Sequence, residues 1–423
     1  MKIIWYVNVI MPDAAKALGL KSTENGSWLL GQAPLLAEAG VDLYITNVTA
    51  RVTKIETIKA NGITYILIPS DCDTTAEFAR IISDIKPDVV HVFGTEYRYN
   101  TDFLIYCATN NIPHVVSLQS VVYDYAKHYK DGLPENKFNR VNPVLRFMKK
   151  VFMADSIALG QQQFEIQGKE EIKALKLAKN VIGRTHWDKA LALETNPDIR
   201  YFHVNENLRD AFYEDEKWNW DNCKKHTIVI SQGFYPIKGF HQFLPALAKI
   251  KELYPDVKVY VCGQSPFTTH NKFLDYFVDF FFEYQKHIKQ LIKKYNLADC
   301  IEYKGFMNAK QIKELFLSAN VLVNPSTIEN GCISVGEAMI CGTPVVASSV
   351  GGVPTTLSFG RDGILYDFYD TDALVEGVKL FFDDRNAAEA YSEKSKAGAS
   401  LIYDRHKNTQ DMINAYKAIL EEK

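Results

Sequence analysis

The segment 321–348 restricts the fold of this chain more than any other part of the sequence. Val321–Asn324 is short and wholly apolar except at its end, the pattern of a buried parallel strand. A polar, glycine-bearing loop follows, and a helix is predicted from near Ser334. Gly342 ends that helix before a second apolar strand, Val345–Ser348. A strand, a loop, a helix and a strand form a βαβ unit, so we predict an α/β fold with a parallel sheet.

The loop of this βαβ unit carries Glu329, and the helix after it carries Glu337 about one turn from its start, with seven residues between the two carboxylates. Ligands of parallel α/β sheets bind beyond the carboxyl ends of the strands, and the first N–H groups of a helix suit a phosphate. Gly331 allows the backbone to approach such a ligand, Glu337 can accept hydrogen bonds from a hydroxyl pair of a sugar, and Glu329 can reach another part of the ligand. We therefore predict a site for a diphosphate flanked by two sugars. Its predicted residues are Glu329, Asn330, Gly331, Cys332, Ile333, Ser334 and Glu337.

This arrangement of residues resembles the signature of the family 4 retaining glycosyltransferases. The resemblance includes the spacing from Glu329 to Glu337, the Gly342-Thr343-Pro344 turn before the next strand, and the run Gly351-Gly352-Val353-Pro354. It implies the GT-B fold, in which two Rossmann-like, doubly wound α/β domains face each other across a cleft. In that fold a final helix crosses back to the first domain.

The chain has 423 residues, enough for two domains of about two hundred residues each. The resemblance implies an acceptor-side domain at 1–210 and a domain that binds the nucleotide-sugar donor at 226–400. A helix at 403–423 would complete the first domain, since Met412 and Tyr416 lie on one apolar face of it.

The composition is typical of a soluble globular protein, with 47% hydrophobic residues and a formal net charge of −3. Without a basic surplus, nucleic acid is not an expected partner. The seven cysteines are scattered and form no CxxC pair, which argues against a disulfide framework or a zinc site and favours a reducing compartment. Neither a dinucleotide fingerprint nor a P-loop occurs. We therefore expect a cytoplasmic protein with no membrane-spanning helix, no metal site and no cofactor besides its co-substrate.

The N-terminal run 3–10 is predicted to be a buried strand rather than a signal peptide, because a polar residue interrupts it and no cleavage site follows. A loop containing Gly26 leads from this strand region to a helix. The resemblance implies that the Gly26 loop approaches the donor diphosphate. An ordinary loop that closes a βα unit is the alternative.

Three polar residues follow predicted strands of the first domain, so they are expected on the acceptor side of the site. They are Glu96, Gln119 and Arg184. Many members of the family have a histidine where Gln119 lies, and an amide can form hydrogen bonds but cannot carry a proton. Arg184 could bind a phosphate or an acceptor carboxylate by a two-point contact. It could equally fix its loop by pairing with Asp188 or Glu206.

The segment 123–160 permits more than one interpretation. Its aromatic residues, such as Tyr125 and Tyr129, could form an acceptor-side loop, although packing is the commoner role of such residues. Further on, Arg146 and Lys149 accompany apolar residues at helical spacing. Such a helix could lie on an anionic membrane, which would place the protein at the inner membrane face. We favour the alternative, a helix that packs its apolar side into the first domain.

Lys238 is predicted to lie where the first helix of the donor domain begins, so that its ammonium and the helix N-terminus act at one point. The resemblance implies that Lys238 holds the donor phosphates. Gly233 stands where the family has an arginine, so one phosphate contact is absent or comes from elsewhere, with Arg184 a candidate. The loop at Gly263 is expected to line the pocket of the nucleotide base, and the backbone of 301–306 to read that base.

The resemblance implies transfer of a sugar from a UDP- or GDP-sugar to a saccharide or lipid-linked saccharide, with retention of anomeric configuration by front-face attack. Lys238 and the helix N-terminus near Ser334 would stabilise the leaving diphosphate without a metal ion. Glu329 would orient the hydroxyls of the donor sugar, Glu337 would hold the ribose, and Gln119 would lie near the transferred sugar. We predict Glu329, Lys238 and Gln119 as the catalytic residues.

Two other functions remain open. A nucleotide-sugar epimerase or hydrolase could share the same donor half. A catalytically silent protein that binds nucleotide sugars is a different class, and the departures from the family pattern at Gln119 and Gly233 keep it open as a minor alternative.

Overall fold

Strands and helices alternate along the chain, and the strands form two separate sheets. The computed structural model describes residues 1–20, 27–134, 138, 156–267 and 282–421. The chain divides into two units. Unit 1 comprises Met1–Tyr123, Ile166–Asp210 and Tyr403–Lys423, and unit 2 comprises Asp124–Glu165 and Ala211–Ile402. This division differs from the predicted domain limits, because 124–165 groups with unit 2.

The sheet of unit 1 has eight strands in the order β3-β4-β2-β1-β5-β6-β7-β8. They are β1 Lys2–Tyr6, β2 Asp42–Thr49, β3 Glu56–Ala60, β4 Ile63–Pro69, β5 Val89–Phe93, β6 His114–Ser117, β7 Asn180–Gly183 and β8 Arg200–His203. Only β3 runs antiparallel to its neighbour within this sheet. Asn61 and Gly62 join β3 to β4 with positive φ angles of 50° and 76°, as a tight hairpin requires.

Helices cover the sheet of unit 1, and the C-terminal helix is one of them. The helices with residues in this unit are α1 Pro12–Ala17, α2 Ser27–Glu38, α3 Thr74–Ile85, α4 Arg98–Thr109, α5 Val122–His128, α6 Ile157–Leu177, α7 His186–Thr195 and α15 Arg405–Leu420. Tyr416 of α15 is fully buried, and its hydroxyl accepts a hydrogen bond of 2.8 Å from Trp5 Nε1 and lies 2.7 Å from Nδ1 of His91. The predicted packing of the last helix on the first domain is therefore confirmed.

Unit 2 contains a fully parallel sheet of six strands in the order β11-β10-β9-β12-β13-β14. The strands are β9 Thr227–Ile230, β10 Lys258–Cys262, β11 Ile301–Gly305, β12 Val321–Asn324, β13 Val345–Ser348 and β14 Ile364–Tyr366. The remaining helices are α8 Phe240–Leu253, α9 Glu283–Lys294, α10 Ala309–Ser318, α11 Ile333–Cys341, α12 Val353–Thr356, α13 Thr371–Asp383 and α14 Arg385–Ile402. Strands β9, β12 and β13 are buried at every position, which explains why their sequences are apolar except at one end.

Local sequence signals set several of these boundaries. Asn308 and Gln311 form a capping box at the start of α10, with the side chain of each residue accepting the backbone N–H of the other. Gly342 ends α11 in the left-handed conformation, with φ of 84°, where a residue with a Cβ would be strained. The predicted βαβ unit is thus present as β12, α11 and β13.

None of the helices among the described residues combines the length and the apolar character needed to span a bilayer. The predicted basic helix around Arg146 and Lys149 lies outside the described residues.

Candidate functional site

The sheet of unit 2 changes direction between β9 and β12. Strands β9, β10 and β11 follow one another towards one edge, and β12, β13 and β14 follow one another towards the other. Parallel α/β sheets bind ligands at this kind of switch point, beyond the carboxyl ends of the two strands. Lys238 follows β9, and the loop before α11 follows β12. The predicted phosphate-binding residues are therefore brought together by the topology of the sheet.

Lys238 and Glu329 form an ion pair at this switch point, with 2.6 Å between Nζ and Oε2. Both side chains are mostly buried, with 18% and 13% of their surface exposed. Burial alone would lower the pKa of the Lys238 ammonium. The negative charge of the Glu329 carboxylate raises this pKa, Tyr235 and Cys332 raise it further, and together the raising contributions outweigh burial. The pKa of Lys238 is consequently well above its usual value. A fixed positive charge thus lies at the end of β9 throughout the physiological pH range.

Contacts with two neighbouring segments hold the loop that carries Glu329. Gly239 has a φ of +63°, and a Cβ added there would lie 1.7 Å from the carbonyl oxygen of Pro325, so only glycine fits. The N–H of Thr327 donates to the carbonyl of Ile237 at 2.8 Å. The carbonyl of Glu329 accepts the N–H of Gly352 at 2.9 Å. The backbone near Glu329 is thereby fixed to the segment that carries Lys238.

The N-terminus of α11 is available to an anion. Cys332 is the cap residue and makes no side-chain cap. Its carbonyl accepts the N–H groups of Val335 and Gly336 at 3.0 and 3.1 Å. In the part of the chain that the structure describes, the N–H groups of Ile333 and Ser334 have no acceptor. These amides and the Lys238 ammonium both follow strands at the switch point, so an anion bound there could use both.

Tyr125 contacts the loop that carries Glu329, a contact that the sequence did not predict. Its phenol oxygen accepts the N–H of Asn330 at 3.1 Å, and only 9% of the side chain is exposed. Burial raises the pKa of the Tyr125 phenol, and the negative charge of Glu329 raises it further. The aromatic cluster at 123–129 was the available signal, but it did not indicate which tyrosine contacts which loop. Tyr125 groups with unit 2.

Glu337 lies in the second turn of α11 and is 2% exposed. Burial raises the pKa of the Cys262 thiol to about 11, and the charge of Glu337 is the second cause. Cys262 is the last residue of β10. The Glu337 carboxylate is therefore close enough to the β10 end of the sheet to act on that thiol.

Comparison with known proteins relates part of the chain to a family. Residues 213–398 match the family model described as glycosyl transferases group 1. This segment is therefore similar to the group 1 glycosyl transferases. This glycosyl transferase segment contains Lys238, Glu329 and Glu337 and all six strands of the unit 2 sheet.

Named relatives agree with this assignment. An uncharacterised glycosyltransferase of Methanocaldococcus jannaschii is 28% identical over 249 residues, which are 59% of each chain. A D-inositol 3-phosphate glycosyltransferase of Paenarthrobacter aurescens is 34% identical over 103 residues, 24% of this chain and 25% of the relative. The matched region thus spans less than two thirds of the length of these relatives.

Solved structures show that the fold extends over the whole chain. Sucrose-phosphate synthase from Thermosynechococcus elongatus aligns with a TM-score of 0.70 at 16% identity, covering 100% of both chains. HepE of Anabaena, solved in complex with UDP, aligns with a TM-score of 0.66 at 15% identity, covering 99% of this chain and 100% of that one. The predicted GT-B fold is therefore confirmed.

Two of the predicted site glycines, Gly233 and Gly263, lie in the glycosyl transferase segment. A Cβ added to Gly233 would lie 3.0 Å from the ring of Phe240, so any larger residue there would need Phe240 to shift by a few tenths of an ångström. Gly263 follows β10 with a φ of +88°, and its N–H donates to the carbonyl of Gly305 at 2.8 Å. In the described part of the chain, no three His, Cys, Asp or Glu side chains are grouped as ligands of a metal ion would be.

The predicted arginine on the acceptor side is engaged within unit 1. The Arg184 guanidinium donates to the carbonyls of Leu118 and Gln119 at 3.1 and 3.0 Å, and pairs with Oε1 of Glu206 at 2.9 Å. The side chains of Arg184 and Glu206 are 12% and 13% exposed. Burial raises the pKa of Glu206, although Arg184 opposes this effect. Of the two predicted uses of Arg184, the structure shows the pairing that fixes a loop.

Glu96 lies just after β5, at the point where the sheet of unit 1 changes direction between β1 and β5. Its Oε2 accepts the N–H of Thr95 at 2.8 Å, and burial raises the pKa of the carboxyl. Nearby, Glu171 is fully buried and accepts the Thr95 hydroxyl at 2.9 Å and the Tyr123 N–H at 2.8 Å. Burial raises the pKa of Glu171 to about 8, and Glu96 adds to this. Gly26, whose loop was expected to approach the donor diphosphate, lies outside the described residues.

Proposed function

We propose that this chain is a retaining, metal-independent glycosyltransferase that moves a sugar from a nucleotide diphosphate sugar to a saccharide or lipid-linked saccharide. The observation that carries the proposal is the Lys238–Glu329 ion pair, which lies at the switch point in the loop that leads to α11, within the segment similar to group 1 glycosyl transferases. UDP is the favoured carrier, because HepE of Anabaena, which shares the fold, was solved with UDP.

Stabilisation of the departing diphosphate is the main chemical task of the site. Lys238 stays charged because its pKa is raised, and the N–H groups of Ile333 and Ser334 can donate to phosphate oxygens. In the structure Lys238 is neutralised by Glu329. A bound diphosphate would compete for the ammonium and leave Glu329 to accept hydrogen bonds from hydroxyls of the donor sugar. The ion pair would then be the resting state of two groups that separate when the donor binds.

The other predicted roles complete the proposal. Glu337 would hold the ribose, since its carboxylate acts on the β10 end of the sheet. Gln119 would donate or accept a hydrogen bond near the transferred sugar, but it cannot act as a proton carrier. Glu96 is a candidate contact of the acceptor. Arg184 has less support as an acceptor contact, because its guanidinium is bound to Glu206.

Turnover with a panel of nucleotide sugars tests this function. The protein is incubated with UDP-glucose, UDP-N-acetylglucosamine or GDP-mannose and a broad set of saccharide acceptors, and products are detected by mass spectrometry. Proton NMR of the product then gives the anomeric configuration, which we expect to match that of the donor. Activity is expected to persist in EDTA. Binding of a nucleotide sugar without any product would indicate a silent binding protein. Nucleotide release or epimerisation without an acceptor would indicate the hydrolase or epimerase.

A lipid-linked acceptor would require contact with a membrane surface. The basic stretch that could provide this contact, at Arg146 and Lys149, lies outside the described residues. Co-sedimentation of the protein with anionic and neutral vesicles tests this part of the proposal. Selective binding to anionic vesicles would support a peripheral membrane location.

A further inference from the structure

A cavity of unit 2 lies outside the site described above. It has a volume of about 560 Å³, within the range of ligand pockets, and is formed by segments that are distant along the chain. Gln242 is in the first turn of α8, and Tyr369 follows β14. None of the lining residues belongs to the predicted donor-binding set. In the described part of the chain the lining comprises Lys130, Asp131, Gly132, Leu133, Pro134, Gln242 and Tyr369.

The turn that forms one wall of this cavity is fixed against α8. Gly132 has a φ of +76°, and a Cβ added there would lie 3.0 Å from Nε2 of His241 and 3.1 Å from Oε1 of Gln242. Nε2 of His241 also lies 2.8 Å from the carbonyl oxygen of Asp131. Burial lowers the pKa of His241 to about 4, so the neutral ring donates this hydrogen bond from Nε2. The wall is therefore preformed.

Tyr369 gives the cavity an exposed aromatic surface. The residue is 61% accessible, and its ring centroid lies 4.9 Å from that of the buried Phe368. Burial raises the pKa of the Tyr369 phenol and the negative charge of Asp131 raises it further, against a hydrogen bond from the Gly132 backbone. Asp131 is itself held by His128, whose Nδ1 lies 2.7 Å from Oδ2. An aromatic ring and a carboxylate thus occupy neighbouring positions in the lining.

The chemistry of the lining indicates a neutral, polar ligand. One ammonium, Lys130, is accompanied by one carboxylate, Asp131, so the described lining has no surplus of positive charge for a phosphate. Gln242 adds an amide that can both donate and accept hydrogen bonds. The ring of Tyr369 can pack against an apolar face, since the negative face of an aromatic ring attracts C–H groups. A pyranose has hydroxyl groups around its edge and C–H groups on its faces, so it matches both features.

The cavity is close to the segment that carries Lys238. Gly239 directly follows Lys238 and precedes the helix whose first turn contains Gln242. The ring of Phe368 lies 3.4 Å from the position that a Cβ of Gly239 would occupy, and Tyr369 is the next residue. A ligand in the cavity would therefore be near the proposed phosphate site without occupying it.

We propose that this cavity binds a saccharide, with a pyranose ring packed on Tyr369 and its hydroxyl groups bound by Asp131 and Gln242. The saccharide is a remote part of an oligosaccharide acceptor, so the inference rests on the proposed function and makes the acceptor class more specific. An acceptor of several sugars can reach the cavity while its terminal sugar is at the reacting centre, whereas a monosaccharide cannot. Longer acceptors are therefore expected to bind more tightly.

Binding of oligosaccharides to Tyr369→Ala tests this inference. The full chain and the variant are screened on an array of neutral glycans of increasing length, and the strongest binder is titrated by calorimetry. Loss of the aromatic surface is expected to weaken its binding by about 3- to 10-fold. Tyr369→Phe keeps the ring and is expected to bind within about twofold of the unmodified protein. UDP affinity should be unchanged in both variants, because Tyr369 is not part of the donor site.

Phe359→Ala is the matched control, because Phe359 is also an exposed aromatic residue of unit 2, 68% accessible, and is not among the lining residues. It should bind the glycan normally. Absence of binding to every glycan would overturn the inference, and so would equal glycan affinity of Tyr369→Ala and the unmodified protein. A failure of the proposed function gives a different result: Tyr369→Ala would weaken glycan binding, yet the unmodified protein would transfer no sugar to that glycan from any nucleotide sugar.

Discussion

Each unit of this protein contains a buried ion pair of similar geometry, yet the two pairs are built for different purposes. In unit 2, Lys238 and Glu329 are 2.6 Å apart and 18% and 13% exposed. In unit 1, Arg184 and Glu206 are 2.9 Å apart and 12% and 13% exposed. Distance and burial therefore do not distinguish a functional pair from a structural one.

The difference lies in what else each cation binds. The Arg184 guanidinium also donates to two backbone carbonyls, so its planar set of donors is used to fix the ends of strands within unit 1. Lys238 carries a compact charge, donates to Glu329 and lies 5.7 Å from the centroid of the Tyr235 ring. An incoming anion can replace one carboxylate more easily than it can replace three partners. We infer that the lysine pair is exchangeable and the arginine pair is permanent.

The largest expected effect is on turnover in Lys238→Ala. Removal of one group that stabilises developing charge typically lowers kcat by about 10²- to 10³-fold, and we expect a loss of this size. Steady-state kinetics with the donor identified by the panel would measure it. Lys249→Ala is the control, because Lys249 is also paired with a carboxylate, Asp372, but is 50% exposed. Equal kcat values for the two variants would remove Lys238 from the site.

Arg184→Ala is expected to act on stability instead of on donor binding. Breaking a buried pair typically costs about 3–5 kcal/mol, and partial exposure reduces this to about 2–3 kcal/mol here. Urea unfolding would give the change in the free energy of unfolding, and calorimetry should show UDP affinity within about twofold of normal. A stable variant that has lost UDP binding or turnover would show that Arg184 contacts substrate, and would end the contrast between the pairs.

Glu171 extends the comparison to a buried carboxylate that forms no ion pair among the residues that the structure describes. The pKa of Glu171 is raised to about 8 in the folded protein, whereas in the unfolded state the carboxyl releases its proton at a lower pH. The free energy of unfolding therefore falls as the pH rises from the pKa of the unfolded state to that of the folded state. The unmodified protein should lose roughly 2 kcal/mol relative to Glu171→Gln between about pH 6 and about pH 8. Urea unfolding of both proteins across this range would measure the difference. A difference that does not change with pH would contradict the raised pKa.

The smallest expected effect is that of Tyr125→Phe. The substitution removes the oxygen that accepts the N–H of Asn330 and keeps the ring, so it should cost about 1 kcal/mol. If the contact positions the loop that carries Glu329, kcat should fall about fivefold while the affinity for UDP changes less. Unchanged kcat with the same loss of stability would make Tyr125 a packing residue only.

The sequence predicted the parts of the site that are close together along the chain. Glu329, the helix before Glu337 and the following strand lie within one βαβ unit, so their spacing carries the geometry. Lys238 was found by its place at a helix start and by the family resemblance. The switch point between β9 and β12 then joins the two segments, a result that requires only the order of the strands.

Contacts between distant segments could not be predicted in the same way. Tyr125 is 205 residues from Asn330, and Glu171 is 76 residues from Thr95. Glu171 lies in a helix rich in charged residues, and nothing in its local sequence distinguishes it from its solvated neighbours. For Arg184, both a ligand and Glu206 were suitable partners on chemical grounds. Only the folded positions of Leu118, Gln119 and Glu206 decide between them.

The central claim is that a nucleotide diphosphate binds at the end of β9 and at the start of α11. A crystal structure of the complex with UDP tests this most directly. We predict the terminal phosphate within hydrogen-bonding distance of Lys238 Nζ and of the N–H groups of Ile333 and Ser334, with Glu329 moved away from Lys238. UDP bound elsewhere, with the Lys238–Glu329 pair still closed, would contradict the account.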